Sequence, residues 1–367
     1  MNKNLRYLFL ALSIAVVGFI LWYFKSIVAY ILIASVFTLI GRPLVIFLNR
    51  IKFKKLHIPN ALSALLTVII LWVLILIFFR VFIPLIANQA RELAAIHPET
   101  IINNLEQPIN KIEAFLSKYE IDSYSGKSLE KYLTEKFMSI LSVSLLSNFF
   151  GSVAGILGNI FVAAFSISFI TFFFLKDRGL FSDGILLFVP SKYEEKSNHI
   201  LKSVKKLLTR YFIGIIVQIS GIIILVSIGL TVVGVSFSDA LVIGLVVGLF
   251  NIIPYLGPVI GVALGLVLGL ATNIGLPFYT ELLPLLGYMA LVFIIVQIID
   301  NVVFQPFIYS SSVNAHPLEI FLVILCAGSL FGITGMILAI PTYTIIRVIA
   351  KEFFNNLKVV KKLTEKI

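Results

Sequence analysis

The stretch QIIDNVVFQPFI at 297–308 sets Gln297, Asp300 and Asn301 at i, i+3 and i+4, on one face of an α-helix. A carboxylate with two amides on an otherwise apolar face offers oxygens to a dehydrated cation, or a group that alternates between charged and protonated forms. A carboxylate merely solvated near a membrane interface is the other reading. A second set lies upstream in NIIPYLGPVIGVALGLVLG, residues 251–269. Proline lacks an amide hydrogen and its ring clashes with the preceding turn, so Pro254 and Pro258, with Gly257 between them, break the helix. Carbonyls freed at membrane depth must bond protein, water or a bound ion, and Asn251 adds a side-chain amide at the break. A simple kink or a hairpin tip would use the same residues. A third set, NAHPLEIFL, brings His316, Pro317 and Glu319 to a helix start, where they either cap the helix or exchange a proton.

These sets share an unusual charge environment. Residues 211–346 contain no lysine or arginine but do contain Asp239, Glu281, Asp300 and Glu319. Acids in or beside membrane spans are costly and face cavities, pores or one another. A base-free acidic half therefore favours cations or protons as partners. Asp239 follows Ser236 and Ser238 at a helix start and reads as part of a cap, and Glu281 falls in a turn.

Enzyme chemistry finds no support. There is no GxSxG elbow, HExxH pair, Walker loop or GxGD-type aspartate pair, and His57, His97, His199 and His316 are too far apart in sequence for a metal motif. Cys326 is the single cysteine, which excludes an internal disulfide and any CxxC site. The reading is a chain without catalytic residues, metal or cofactor.

The elements that must position these residues are transmembrane helices. A chain that is 59% hydrophobic and 13% charged, with a mean hydropathy of +1.06, lies far outside the soluble range. The ruler of about 20 apolar residues per crossing predicts eight spans, near 5–24, 26–48, 61–86, 149–175, 211–233, 239–272, 283–305 and 318–349, the sixth broken. The fold class is thus all-α, a polytopic helical membrane protein. The net charge of +11 sits in blocks beside the spans, so nucleic acid is excluded as a partner and the lipid bilayer is the expected one. The N-terminal run at 7–24 ends in Trp22 and Tyr23 without a small-x-small cleavage site, and is read as a span.

Charge counts orient the weave. Segment 41–60 has five bases and no acid, 176–210 has eight bases against four acids, and the tail from Arg347 has six against two, so all three are expected in the cytoplasm. Segment 88–148, with six bases and eight acids, then lies outside, as do the loops near 234–238 and 306–317. The base-free turn at 273–282 falls inside under this count, unless 239–272 is a hairpin. The expected organisation is spans 1–3 over 1–87, an extramembrane amphipathic segment at 88–148, spans 4–8 over 149–350 and a basic tail at 351–367. Leu105, Ile109, Ile112 and Leu116 give the outer segment its helical period, either as a packed cap or as a ligand-binding surface. Residues 191–210 read as an interfacial helix with Lys202, Lys205, Lys206 and Arg210 on its wet side, a positive anchor or a gate or lipid sensor. Gly244 and Gly248, then Gly261, Gly265 and Gly269, recur every four residues and allow helices to approach closely, whether as fixed packing or as a sliding interface. Gly332, Gly335 and Pro341 offer a further hinge within the last span, or plain packing.

Taken together, NIIPYLGPVIG, QIIDNVVFQPFI and HPLEIFLVILCAGSLFGITGMILAIPTYTIIRVI, with the lead-in VPSKYEEKSNHILKSVKKLLTRYFIGIIVQ, resemble the autoinducer-2 exporter family of bacterial membrane proteins. The resemblance covers roughly residues 10–350 and is most specific from 189 onward. It implies eight helices, transport without ATP and a homo-oligomer; members are associated with export of the quorum signal autoinducer-2, others with exchange of sodium or lithium for protons. The expectation is a secondary transporter of the bacterial cytoplasmic membrane with both termini inside, exporting a small polar solute on a proton or sodium gradient. Asn251, Pro254, Gly257 and Pro258 would hold the solute or a monovalent cation, Gln297, Asp300 and Asn301 would couple it, and His316 with Glu319 would be the reserve proton pair. A sodium(lithium)/proton antiporter and a non-transporting scaffold are the alternatives.

Overall fold

The structure, a computed structural model, describes residues 25–50, 52–53, 56–94, 111, 161–177, 179–306, 308 and 316–354, with 12, 16, 18–20 and 22–24. The expected first span, most of 88–148 and residues 149–160 lie largely outside this set. The helices are α1 (Lys25–Arg50), α2 (Asn60–Ala94), α3 (Phe161–Lys176), α4 (Leu180–Leu186), α5 (Glu194–Val232), α6 (Phe237–Phe250), α7 (Leu256–Thr272), α8 (Leu283–Ile299) and α9 (Pro317–Phe354). Five-residue π-helical turns flank α8 at Phe278–Leu282 and Asp300–Phe304. Among the described residues the departure from helix is one antiparallel pair of two-residue strands, β1 (Lys52–Phe53) with β2 (Leu56–His57). Five stretches are long and apolar enough to cross a membrane, 25–50, 60–85, 191–232, 278–304 and 317–353, and α3, α6 and α7 are shorter apolar helices. The protein is a polytopic helical membrane protein.

The chain forms two compact units, the first of residues 1–75 and 155–201, the second of 76–154 and 202–367. In the first, Val45 of α1, Ala64 and Val68 of α2 and Leu175 of α3 form the core, with Trp72 and Phe172 against it. Apolar surface gains little by leaving lipid for protein, so close contact and hydrogen bonds must hold such helices together. Both are present: a Cβ at Gly41 would stand 2.8 Å from Thr67, and Trp72 Nε1 donates to Ser168 Oγ at 2.7 Å.

The second unit carries the candidate site, and its glycines record which helices touch. Gly244 and Gly248 of α6 lie on Ser227, Ile223 and Ile219 of α5, so the two helices run antiparallel. Gly261 and Gly265 of α7 lie on Val247 and Ile243 of α6, again antiparallel, so 237–272 is a helical hairpin. The helix breaks between α6 and α7 as the prolines require, and the break is a full reversal. Its tip is tight. Ile253 N donates to Phe250 O at 3.0 Å, Leu256 N to Pro254 O at 2.8 Å, and a Cβ on Gly257 would collide with the Phe250 backbone. Tyr255, at φ 65 and ψ −51, is the centre of a γ-turn of the strained hand. Gly265 and Gly269 also meet Phe293 and Met289 of α8, and α8 returns antiparallel along α5, with Gly229 against Val292 and Gly221 against Phe304. The core between them comprises Ile222, Val226 and Leu230 of α5, Ile243 and Val247 of α6, and Met289, Phe293 and Val296 of α8.

Two expectations need amending. The predicted interfacial helix at 191–210 is continuous with the fifth span, because no proline or other breaker separates them, and α5 is one helix of 39 residues. The final span at 318–349 is not one rod. Gly332 has φ 62 and ψ −147, a region open in practice to glycine alone. Gly328 lies against Met336 and Gly335 against Ala327, pairs eight residues apart that would be about 12 Å apart along one helix. Residues 317–331 and 333–354 are therefore the arms of a second hairpin. The unit repeats one motif twice, a long helix and then a helical hairpin.

Candidate functional site

Asp300 follows α8 in the π turn, and its side chain is 1% exposed. Oδ1 accepts from Gln218 Nε2 of α5 at 2.7 Å, and Oδ2 accepts from Gln305 Nε2 at 2.9 Å. No lysine, arginine or histidine among the described residues pairs with it. Amides can satisfy a carboxylate's lone pairs but cannot neutralise its charge, and an isolated buried charge is costly.

Beside Asp300 is a cavity of about 10 Å³, lined by Ile222, Val226, Val247, Asn251, Val262, Phe293, Val296, Gln297 and Asp300. That volume admits about one water-sized particle. Asn251 caps α6 at the mouth of the hairpin tip; it is 5% exposed, and its Nδ2 has no hydrogen-bond partner. Four elements thus converge on one small polar point in an apolar core: α5, the first hairpin, α8 and the π turn.

Asn251, Gln297 and Asp300, expected from separate stretches of sequence, line this one cavity. Asn301 does not: it is exposed, and its Oδ1 accepts from Gln297 Nε2 at 3.1 Å and Gln305 Nε2 at 2.8 Å. Pro254, Gly257 and Pro258 are buried in the tip and shape it without lining the cavity. The carbonyls of Ile253 and Pro254 accept from Gly257 N and Leu256 N, both at 2.8 Å.

The pair His316 and Glu319 stands elsewhere, at the foot of the second hairpin. Glu319 Oε2 accepts from His316 N at 3.3 Å, the glutamate half of a capping box. Across the arms Glu319 acts electrostatically on Arg347, which is buried and lies over the Tyr343 ring at 5.6 Å. Ser236 caps α6 by accepting from Asp239 N at 3.2 Å, and Glu281 is exposed in the first π turn.

Gln218 and Gln305 were not anticipated. Gln218 is a lone amide in an apolar run, which is a usable signal, whereas Gln305 stands at i+5 from Asp300, off the face that α-helical spacing predicts. The π turn brings it round, since its bonds close over five residues and Gln305 N donates to Asp300 O.

A polytopic helical bundle in which a broken-helix hairpin and a buried carboxylate meet at one small cavity has the organisation of membrane transport proteins. Comparison with known sequences agrees. The model of the AI-2E family transporters matches residues 9–355, and the chain belongs to that family. It is 29% identical over 373 residues to the Bacillus subtilis protein named "Putative transport protein YueF", covering 99% of this chain and 95% of that one. It is 28% identical over 207 residues, 56% of each chain, to the one named YrrI from the same organism. To a protein of Methanocaldococcus jannaschii, MJ1177, it is 24% identical over 246 residues, 61% of this chain and 71% of the other.

Proposed function

We propose that this chain is a secondary-active exporter of a small polar solute such as autoinducer-2, working in the bacterial cytoplasmic membrane, with Asp300 as the coupling carboxylate for protons or sodium. The observation that carries the reading is the charge balance: Asp300 is buried with two amide donors and, among the described residues, without a cationic partner. Such a group binds and releases a proton or cation as access changes sides, and the binding energy differs between the two states.

The repeated helix-plus-hairpin supports alternating access. α5 and α8 run antiparallel, so the two repeats have opposite directions, as in transporters built from inverted repeats with the site at the repeat interface. With the basic tail inside, the second hairpin enters from the cytoplasm and the first from outside. Loop 273–282 is then external and 306–316 internal, which removes the weak point of a simple eight-span weave. Asn251, held by the first hairpin's tip, meets solute or ion, and a homo-oligomer is the assembly that goes with this reading.

One observation favours the sodium(lithium)/proton antiporter as a second reading: the cavity admits a bare ion and excludes an organic solute in this conformation. Proteoliposomes decide between them. Labelled autoinducer-2 efflux and sodium-dependent proton movement are measured with the parent chain and Asp300→Asn at matched insertion. The amide cannot change charge, so the variant is expected to lose pH and sodium dependence. If that dependence persists, Asp300 is not the coupling group; if neither flux occurs with the parent, the scaffold reading takes its place.

A further inference from the structure

The tip of the first hairpin is held from outside itself. Ile253 is buried together with Ile320 and Ile324 from one arm of the second hairpin and Ala339 and Ile340 from the other, and Tyr255 packs against this cluster. The Tyr255 ring stands edge-on to Phe321, with centroids 6.1 Å apart and planes at 80°, a geometry that aromatic pairs favour. Through this tip the two hairpins of the second unit meet.

The backbone at the same residue is strained. At φ 65 and ψ −51 a side chain crowds the backbone around it, a cost that glycine avoids. A tyrosine there disfavours the turn by roughly five- to 150-fold, so the turn persists only where its surroundings hold it. The ring on Phe321 and the cluster beneath it are those surroundings.

The turn is also tied to the cavity. Leu256 N donates to Pro254 O and Gly257 N to Ile253 O, both at 2.8 Å, and a Cβ on Gly257 would stand 3.1 Å from Asn251 Cα. Gly257 therefore lies against the backbone of the residue whose side chain lines the cavity with an unpartnered Nδ2. If the turn opens, Gly257 moves and Asn251 loses that support.

We infer that Tyr255 is a positioning residue: the second hairpin, through Phe321, holds the strained turn closed, and the closed turn keeps Asn251 at the cavity. When Tyr255 leaves Phe321 the strain drives the tip open, so binding at Asn251 is conditional on docking of the two hairpins. That consequence rests on the proposed coupling site, whereas the mechanical link does not.

The test uses the full-length chain with Cys326→Ala and Asn251→Cys in detergent and follows modification of the thiol at position 251 by a small methanethiosulfonate. A buried thiol reacts in proportion to the time its surroundings are open. No flux is needed, so failure of the coupling reading leaves this readout intact. Tyr255→Ala removes the ring and keeps the strain, and Tyr255→Gly removes both. The alanine variant is expected to react at least about fivefold faster than the glycine variant. Loss of packing alone predicts equal rates or a faster glycine variant, because glycine leaves a looser chain, and that result would overturn the inference. Phe321→Ala should speed the reaction roughly two- to twelvefold with Tyr255 in place, but by less than about twofold in the Tyr255→Gly background; equal acceleration in both would overturn it as well. Tyr255→Phe, which keeps ring and strain, should react like the parent. If Tyr255→Ala does not insert, the comparison of Phe321→Ala in the two backgrounds decides the matter.

Discussion

Replacing Gly332 by alanine isolates the reversal of the second hairpin from packing. At φ 62 and ψ −147 an alanine is strained by about 1–3 kcal/mol. A Cβ there would have nothing within 4 Å, so the cost is of the backbone alone and cannot be relieved by moving a neighbour. Gly287, inside α8, is the matched control: its Cβ would also have nothing within 4 Å, but its backbone is helical. Alanine there should stabilise by about 0.5–1 kcal/mol, because it fixes a helical residue at lower entropic cost. The two substitutions add the same methyl group into open space and are expected to act with opposite signs. Apparent thermal midpoints in one detergent, read by circular dichroism, give the signs, and amide exchange over 317–354 locates the loss. Gly332→Ala should lower the midpoint and speed exchange in both arms, and Gly287→Ala should raise it. A neutral or stabilising Gly332→Ala would mean that the chain passes 332 as an ordinary helix and that the hairpin is wrong.

Two further expectations follow from the hairpins. Single cysteines at Ser236 and Asn273, with Cys326 replaced, should react from the same side of the membrane, because α6 and α7 are arms of one hairpin, while Ser191 should react from the other; labelling of Ser236 and Asn273 from opposite sides would restore a single broken span. Glu319→Gln should lower stability by about 1–3 kcal/mol, since the charge that acts on buried Arg347 is removed; a change within about 0.5 kcal/mol, typical of a surface site, would show that the foot of the second hairpin does not depend on this contact.

The parts of the molecule legible in the sequence are those governed by local chemistry. Long apolar runs become spanning helices because backbone groups in lipid must bond within their own segment. Pro254, Gly257 and Pro258 announce a break, and Ser236 a helix start, on their own side-chain chemistry. Asp300 is also visible, as an acid without a base for dozens of residues on either side. The direction of the chain after a break is a different matter. It depends on whether the following arm packs on the preceding one, and that is decided by glycine contacts between α5, α6, α7 and α8 that no single helix contains. At 332 the break is signalled by a glycine alone, with nothing to separate a hinge from a hairpin except a backbone angle. Gln305 shows the same limit at the scale of one turn. Read at 3.6 residues per turn it points away from Asp300, and only the π turn, five residues to a hydrogen bond, brings its amide to Oδ2. The partners of the carboxylate therefore come from a long-range contact, Gln218, and from a local departure in helix period, and neither follows from the spacing that identified Asp300.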